Sequence, residues 1–183
     1  MPSENIEVDF AAPVSGNLQK IEEVKDDVFS QKMLGDGFAI EPIDGKIVAP
    51  VNAKVESVMD TKHALTLKTK KGHLDILMHL GLDTVELKGA PFTINVKPGD
   101  EVKAGSVIGT MDLDAIKKAG KDPVVLTIIA NMDRVDHVSK SDDTAVEAGQ
   151  VVFKAITKLI GKNDINVIGK SDDRTVQSQF DAH

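Results

Sequence analysis

His63-Ala-Leu-Thr-Leu-Lys-Thr69, Lys70-Lys-Gly72 and Leu74-Asp-Ile-Leu-Met-His79 follow one another in the chain and read as strand, turn and strand. A hairpin centred on Lys71 makes paired positions sum to about 142 and sets His63 opposite His79. Directly opposed residues carry their Cβ atoms about 4.5–5.5 Å apart, so two histidines distant in sequence become neighbours. Period two then divides the second strand. Ile76, Met78 and Leu80 share a wholly apolar face, which is the core face, and Asp75, Leu77 and His79 take the other. Thr61 lies two residues before His63 and shares its face in an extended chain. The register carries the inference, because a slip of one residue turns one ring to the opposite face.

Outward from this hairpin the chain keeps the same character. Gly (14) and Pro (7) punctuate short β-branched runs at Gly45–Pro50, Lys54–Met59, Ala64–Thr69, Leu74–Leu80, Phe92–Val96, Val107–Met111, Val124–Ala130 and Val151–Thr157. Long apolar stripes of helical period are missing, and only Asp114–Ala119, stopped by Gly120, reads as a short helix. The class is all-β. Two phrases recur. Ala11-Ala-Pro-Val-Ser-Gly16 echoes Val48-Ala-Pro-Val-Asn-Ala53, and Glu101-Val-Lys-Ala-Gly-Ser-Val-Ile108 echoes Ala145-Val-Glu-Ala-Gly-Gln-Val-Val152. They point to a duplicated β unit packed into one antiparallel, barrel-like sandwich. One domain over residues 1–157 is expected, with its core at about 28–132. Residues 158–183 read as a tail or linker remnant with one short strand at Ile165–Ile168.

Composition excludes several chemistries. The chain of 183 residues has no cysteine, which removes disulfides, thiol catalysis and cysteine-based zinc sites. With no Trp or Tyr and six Phe, the core must be aliphatic. A net charge of −7 argues against a nucleic-acid partner. No apolar stretch approaches the roughly 20 residues of a membrane helix, and the N-terminus lacks a signal-peptide pattern. A cytoplasmic protein with no membrane insertion is expected.

The phrases around the histidines resemble the glucose-type enzyme IIA of the bacterial phosphoenolpyruvate-dependent sugar phosphotransferase system. They are Ala12-Pro-Val-Ser-Gly16, Lys32-Met-Leu-Gly-Asp-Gly-Phe-Ala-Ile40, Val48-Ala-Pro-Val51, Thr61-Lys-His-Ala64, Leu77-Met-His-Leu-Gly-Leu-Asp-Thr-Val-Glu-Leu-Lys-Gly89, Val102-Lys-Ala-Gly105, Met111-Asp-Leu113 and the run from Pro123 to Asn131. The most specific is His-x-Gly-x-Asp-Thr-Val with an upstream Thr-x-His. The chain departs from the family pattern in an extra residue between Gly72 and Asp75, in Asn52-Ala53, and in smaller apolar residues at Met59, Leu77 and Leu80.

The resemblance implies a phosphotransferase component with a phosphohistidine intermediate. His79 is then the phosphorylated nucleophile, His63 the stabiliser of the phosphoryl group and Thr61 the hydroxyl that orients His63. The donor is HPr, and the acceptor is the EIIB domain of a glucose-type sugar permease. An imidazole near its ordinary pKa of about 6.5 is mostly neutral at pH 7 and offers a lone pair without a separate base. No cofactor or metal is required, and the phosphoryl group comes ultimately from phosphoenolpyruvate. A zinc ion shared by His63, His79 and a partner's carboxylate is a secondary binding mode. Partner docking calls for a shallow apolar rim, for which Val28, Phe29, Met33, Leu34, Met59 and Leu77 are candidates, with Asp83 at the margin.

Two other classes compete. A β-sandwich zinc hydrolase needs a further ligand set such as His-x-His, which the sequence lacks. A biotinyl or lipoyl carrier needs a modified lysine on an exposed hairpin, and Met59-Asp-Thr-Lys62 is a poor match. His73, His137 and His183 read as ordinary solvated histidines: His73 beside the turn glycine, His137 in a charged loop, His183 terminal.

Overall fold

The structure is a computed structural model that describes residues 5–158. The C-terminal stretch with its strand expected at 165–168, and His183, lie outside the described residues. In chain order the strands are β1 (Glu7–Ala11), β2 (Gly16–Lys20), β3 (Asp36–Pro42), β4 (Lys46–Val48), β5 (Ala53–Val58), β6 (Ala64–Thr69) and β7 (Asp75–Leu82). Then follow β8 (Phe92–Ile94), β9 (Glu101–Val102), β10 (Val107–Met111), β11 (Asp122–Ile129), β12 (Val135–Lys140), β13 (Ala145–Val146) and β14 (Val151–Thr157). Two short helices, α1 (Asp27–Ser30) and α2 (Leu113–Lys118), interrupt them. All eight segments expected to be extended are strands. His137 lies on strand β12 rather than in a loop, exposed and bonded to Asp136 at 2.7 Å.

The described strands form three antiparallel sheets. The largest has the order β13-β2-β3-β11-β7-β6-β5-β9, and two three-stranded sheets, β1-β14-β12 and β4-β10-β8, complete the sandwich. Between the layers Phe10, Ile40, Ile47, Leu65, Leu67, Ile76, Met78, Leu80 and Phe153 are sealed from solvent. Phe10 stands edge-on to Phe153, with ring centroids 5.1 Å apart. This core draws on Val8 at one end and Ala155 at the other, so it extends past the expected 28–132 stretch in both directions.

The two sequence echoes are one structural repeat. Ala11 of β1 pairs with Val151 of β14, and the equivalent Val48 of β4 pairs with the equivalent Val107 of β10. Gly16 of β2 pairs with Val146 of β13, just as Ala53 of β5 pairs with Val102 of β9. The Ala-Pro-Val corners then lock reciprocally. Ala11 donates to the Pro50 carbonyl and Val48 to the Pro13 carbonyl, each at 2.8 Å. Proline has no N–H and φ near −65°, so each corner turns without leaving a donor unpaired and offers its carbonyl to the other half.

The β6–β7 hairpin sets the register that matters. Thr69 N–H bonds the Leu74 carbonyl at 2.9 Å, which leaves Lys70, Lys71, Gly72 and His73 as a four-residue loop. Gly72 (φ 75°) and His73 (φ 49°) both take left-handed conformations, so His73 belongs to the turn and not to the strand. The centre of the hairpin moves half a residue beyond Lys71. His79 therefore pairs with Ala64, where the symmetric three-residue turn had set it opposite His63.

Candidate functional site

Period two sorts β7 as its sequence dictates: Ile76, Met78 and Leu80 are fully buried in the main core, while Leu77 and His79 point to the other face. Asp75, expected on the outer face, is itself buried; Lys68 Nζ lies 3.7 Å from its carboxylate, and its N–H bonds Asn131 Oδ1. The outer face of the sheet is partly roofed. Ile21, Val24 and Phe29 lie over Ala39, Leu82, Val124, Leu126 and Ile128 as a second apolar cluster, which Leu34 and Leu77 extend. Asp26 caps α1 by accepting the Val28 N–H at 2.9 Å, and α1 carries Phe29 to within 5.1 Å of the His79 ring, centroid to centroid. His79 is thus half-buried at the edge of that roof.

His63 reaches His79 by a route that the hairpin argument did not contain. With Ala64 opposite His79, ladder parity assigns residue 63 to the face of Leu80, away from His79. The chain leaves the ladder there. The β5–β6 loop closes with Met59 N–H on the Ala64 carbonyl at 3.0 Å, and Lys62 turns through φ 57°. His63 keeps one backbone tie to β7, accepting the Leu80 N–H at 2.7 Å, and its ring swings to His79. The two rings meet edge to face, centroids 5.1 Å apart at 82°. The expected juxtaposition holds, and its cause is the turn at Lys62 instead of direct cross-strand pairing.

Hydrogen bonds fix both rings. Nδ1 of His79 lies 2.7 Å from the carbonyl of Gly81. A carbonyl only accepts, so Nδ1 carries the proton and Nε2 holds a free lone pair in the neutral ring. Thr61 Oγ1 lies 2.6 Å from His63 Nδ1. Burial, first, and the neighbouring His63, second, depress the His79 pKa to about 4, against smaller upward pulls from the Gly81 bond, Asp26 and Asp83. Burial also lowers His63. Both rings are neutral at physiological pH.

Around them lies an open depression of about 290 Å3, mostly apolar. Val28 (39% exposed) and Met59 (43%) stand at its lip, with Leu34 and Leu77 half-buried in its wall and Asp83 exposed at its margin. Phe29 lines it from below, 6% exposed, and is floor rather than rim. Met33 is exposed, but it is not among the residues that line the depression. Among the contributors not singled out from sequence are the Gly81 carbonyl, Asp26 and Val85 (47% exposed). Asp26 could have been found as an N-cap before Val28-Phe29. A backbone carbonyl leaves no residue-type signal.

No helix among the described residues is long and apolar enough to cross a membrane. Among them, no three His, Asp or Glu side chains gather as a metal site, so His63 and His79 offer two ligands at most.

The family described as phosphoenolpyruvate-dependent sugar phosphotransferase system, EIIA 1, matches residues 8–135. The chain is 42% identical over 145 residues to the PTS system glucose-specific EIIA component of Halalkalibacterium halodurans, spanning 79% of this chain and 83% of that one. It is 45% identical over 139 residues to the PTS system glucose-specific EIICBA component of Streptococcus pneumoniae, spanning 76% of this chain but 19% of that much longer protein. Among solved structures, the glucose permease IIA from Mycoplasma capricolum superposes with a TM-score of 0.69 at 36% identity, over 85% of this chain and 97% of that one.

Proposed function

The chain belongs to the EIIA 1 family of the phosphoenolpyruvate-dependent sugar phosphotransferase system, and from that membership we propose that His79 accepts a phosphoryl group from phospho-HPr and passes it to the EIIB domain of a glucose-type permease. The observation that carries the proposal is the His79 Nδ1–Gly81 bond, which supports Nε2 as the acceptor atom beside the apolar lip.

Phosphoryl transfer asks the protein for an in-line nucleophile and for donors to the equatorial oxygens. The Nε2 lone pair forms the new bond to phosphorus while the bond from phosphorus to the donor atom breaks and its electron pair leaves with the donor. Nδ1 keeps its proton throughout, donating it in a hydrogen bond to the Gly81 carbonyl. His63 assists when Thr61 donates its hydroxyl to Nδ1, because Nε2–H of His63 then points its proton at the phosphoryl oxygens. Onward transfer reverses the sequence with a second partner. The open depression, with Val28, Met59 and Val85 exposed at its lip, suits two visitors in turn better than one enclosed substrate. The transfer needs no metal and no bound cofactor in this reading. The Streptococcus pneumoniae relative, whose name joins A, B and C parts in one chain, supports an EIIB partner. The reading places the work in the cytoplasm, at the inner side of a permease.

Incubation with phosphoenolpyruvate, enzyme I and HPr, followed by mapping of acid-labile phosphate, tests it. The wild type should label on His79 and His79→Gln should take none. Stable labelling of His79→Gln overturns the assignment.

A further inference from the structure

We propose that Thr84 is a positioning residue for His79, which through the Leu80–Gly81 backbone keeps the proton on Nδ1 and Nε2 open. Thr84 is fully buried at the start of the 3-10 turn Thr84–Leu87, just after Asp83 in a left-handed conformation (φ 58°). Its hydroxyl donates to the Leu80 carbonyl at 2.6 Å. Leu80 is the first residue of β7 past the last rung with β6, Ala64↔His79. Its N–H holds the His63 carbonyl at 2.7 Å, and the Thr84 hydroxyl holds its C=O. The peptide groups on both sides of the Leu80 Cα are therefore held, and the Thr84 hydroxyl is what holds the one leading into Gly81.

Gly81 has no room for a side chain. It sits at φ +84°, and a Cβ built there would lie 2.5 Å from the Thr84 methyl and 2.9 Å from the Asp122 carbonyl oxygen. The methyl of Thr84 and the backbone of β11 thus crowd the space beside Gly81 where a side chain would stand. In that orientation its carbonyl returns to His79 Nδ1 at 2.7 Å. Thr84 divides its work between the methyl, which packs against Gly81, and the hydroxyl, which sets Leu80. Valine has the same shape and lacks only the hydroxyl. If packing alone mattered, Val would replace Thr84 without effect on the His79 ring.

The kinetic half of this inference rests on the phosphoryl-acceptor reading, and the structural half does not. Thr84→Val and Thr84→Ser are compared with the wild type by 15N–1H long-range spectra of the His79 ring and by the initial rate of labelling from phospho-HPr. Wild type and Thr84→Ser should show a single Nδ1–H tautomer. Thr84→Val should show signals from both tautomers and label about tenfold more slowly, less than the roughly 10²-fold of a reacting atom displaced by 1 Å, because part of the population keeps the productive tautomer. An unmixed Nδ1–H ring in Thr84→Val overturns the proposal, as does equal mixing in the Ser and Val variants. Should Thr84→Val fail to fold, Thr84→Ala replaces it, and the same ring spectrum in Ala and Ser overturns the proposal. A wild-type chain that takes no phosphate at all would sink the relay reading alone, leaving the tautomer comparison valid.

Discussion

The carbonyl of Gly81 accepts the Nδ1–H of His79 at 2.7 Å, two residues along the same strand. That bond does more than orient a ring. It selects one of two tautomers, exposes one lone pair, and does so with a backbone atom that a side-chain substitution cannot remove directly. Burial beneath Phe29 keeps the ring neutral, so the lone pair is present across the physiological range.

The His79 ring should titrate near pH 4 in an NMR pH series, well below the ordinary 6.5. The unfolded chain takes up this proton first, so the folded state loses stability as pH falls from 6.5 towards 4, and the loss is absent above 6.5. A midpoint at 6.5 would place the ring in water.

Thr61→Val removes the hydroxyl 2.6 Å from His63 Nδ1 and keeps its bulk. Labelling of His79 should be retained, while onward transfer to EIIB slows about tenfold, less than the roughly 10²–10⁴-fold of a group that itself transfers the proton, because Thr61 acts only through His63. Single-turnover transfer measures this directly. An unchanged onward rate would remove Thr61 from the mechanism.

Gly81→Ala meets both a left-handed backbone and two contacts under 3.0 Å. The conformation costs about 1–2 kcal/mol and the overpacking about 1–3 kcal/mol, so a total of about 2–5 kcal/mol should appear in urea unfolding. Gly99→Ala is the control. Its φ is also positive, at +96°, but nothing lies within 4 Å of the new Cβ. It should lose only the backbone part, and equal losses in the two variants would show that the crowding beside Gly81 contributes nothing.

Glu41 shares a cleft with Asp122, and burial, followed by the charge of Asp122 and a hydrogen bond to it, raises its pKa to about 7, against downward pulls from Lys117 and Lys25. The folded protein then holds a proton that the unfolded chain releases near 4.5, so stability falls as pH rises through that window to about 7. In thermal melts, Glu41→Gln should flatten this fall and gain on the wild type at pH 8 but not at pH 4. Parallel profiles for the two chains would refute a shared proton.

Strands with one wet face, or with a turn at each end, were legible in the chain. β6, β10 and β14 lie where their residues announce them. β3, Asp36–Pro42, was not legible, because it is covered on both faces and shows no alternation. Nor was β12, whose Val-Asp-His-Val-Ser-Lys is an edge strand with most of its side chains in solvent. The duplication was legible because the same corner needs the same Ala-Pro-Val in each half. The reciprocal bonds between the two corners were not.

Sequence by itself determined the all-β class, the inward face of β7 and the outward His79, since alternation along a strand is a local property. Tertiary structure decided the rest. The left-handed turn at His73 moved the register by one residue, the turn at Lys62 brought His63 back across the strand, and the roof of Phe29 set how far His79 is drawn from water. A left-handed residue at a non-glycine position and the arrival of Phe29 from a distant segment leave no periodic trace in the sequence, so pairwise spacing along the chain does not encode them.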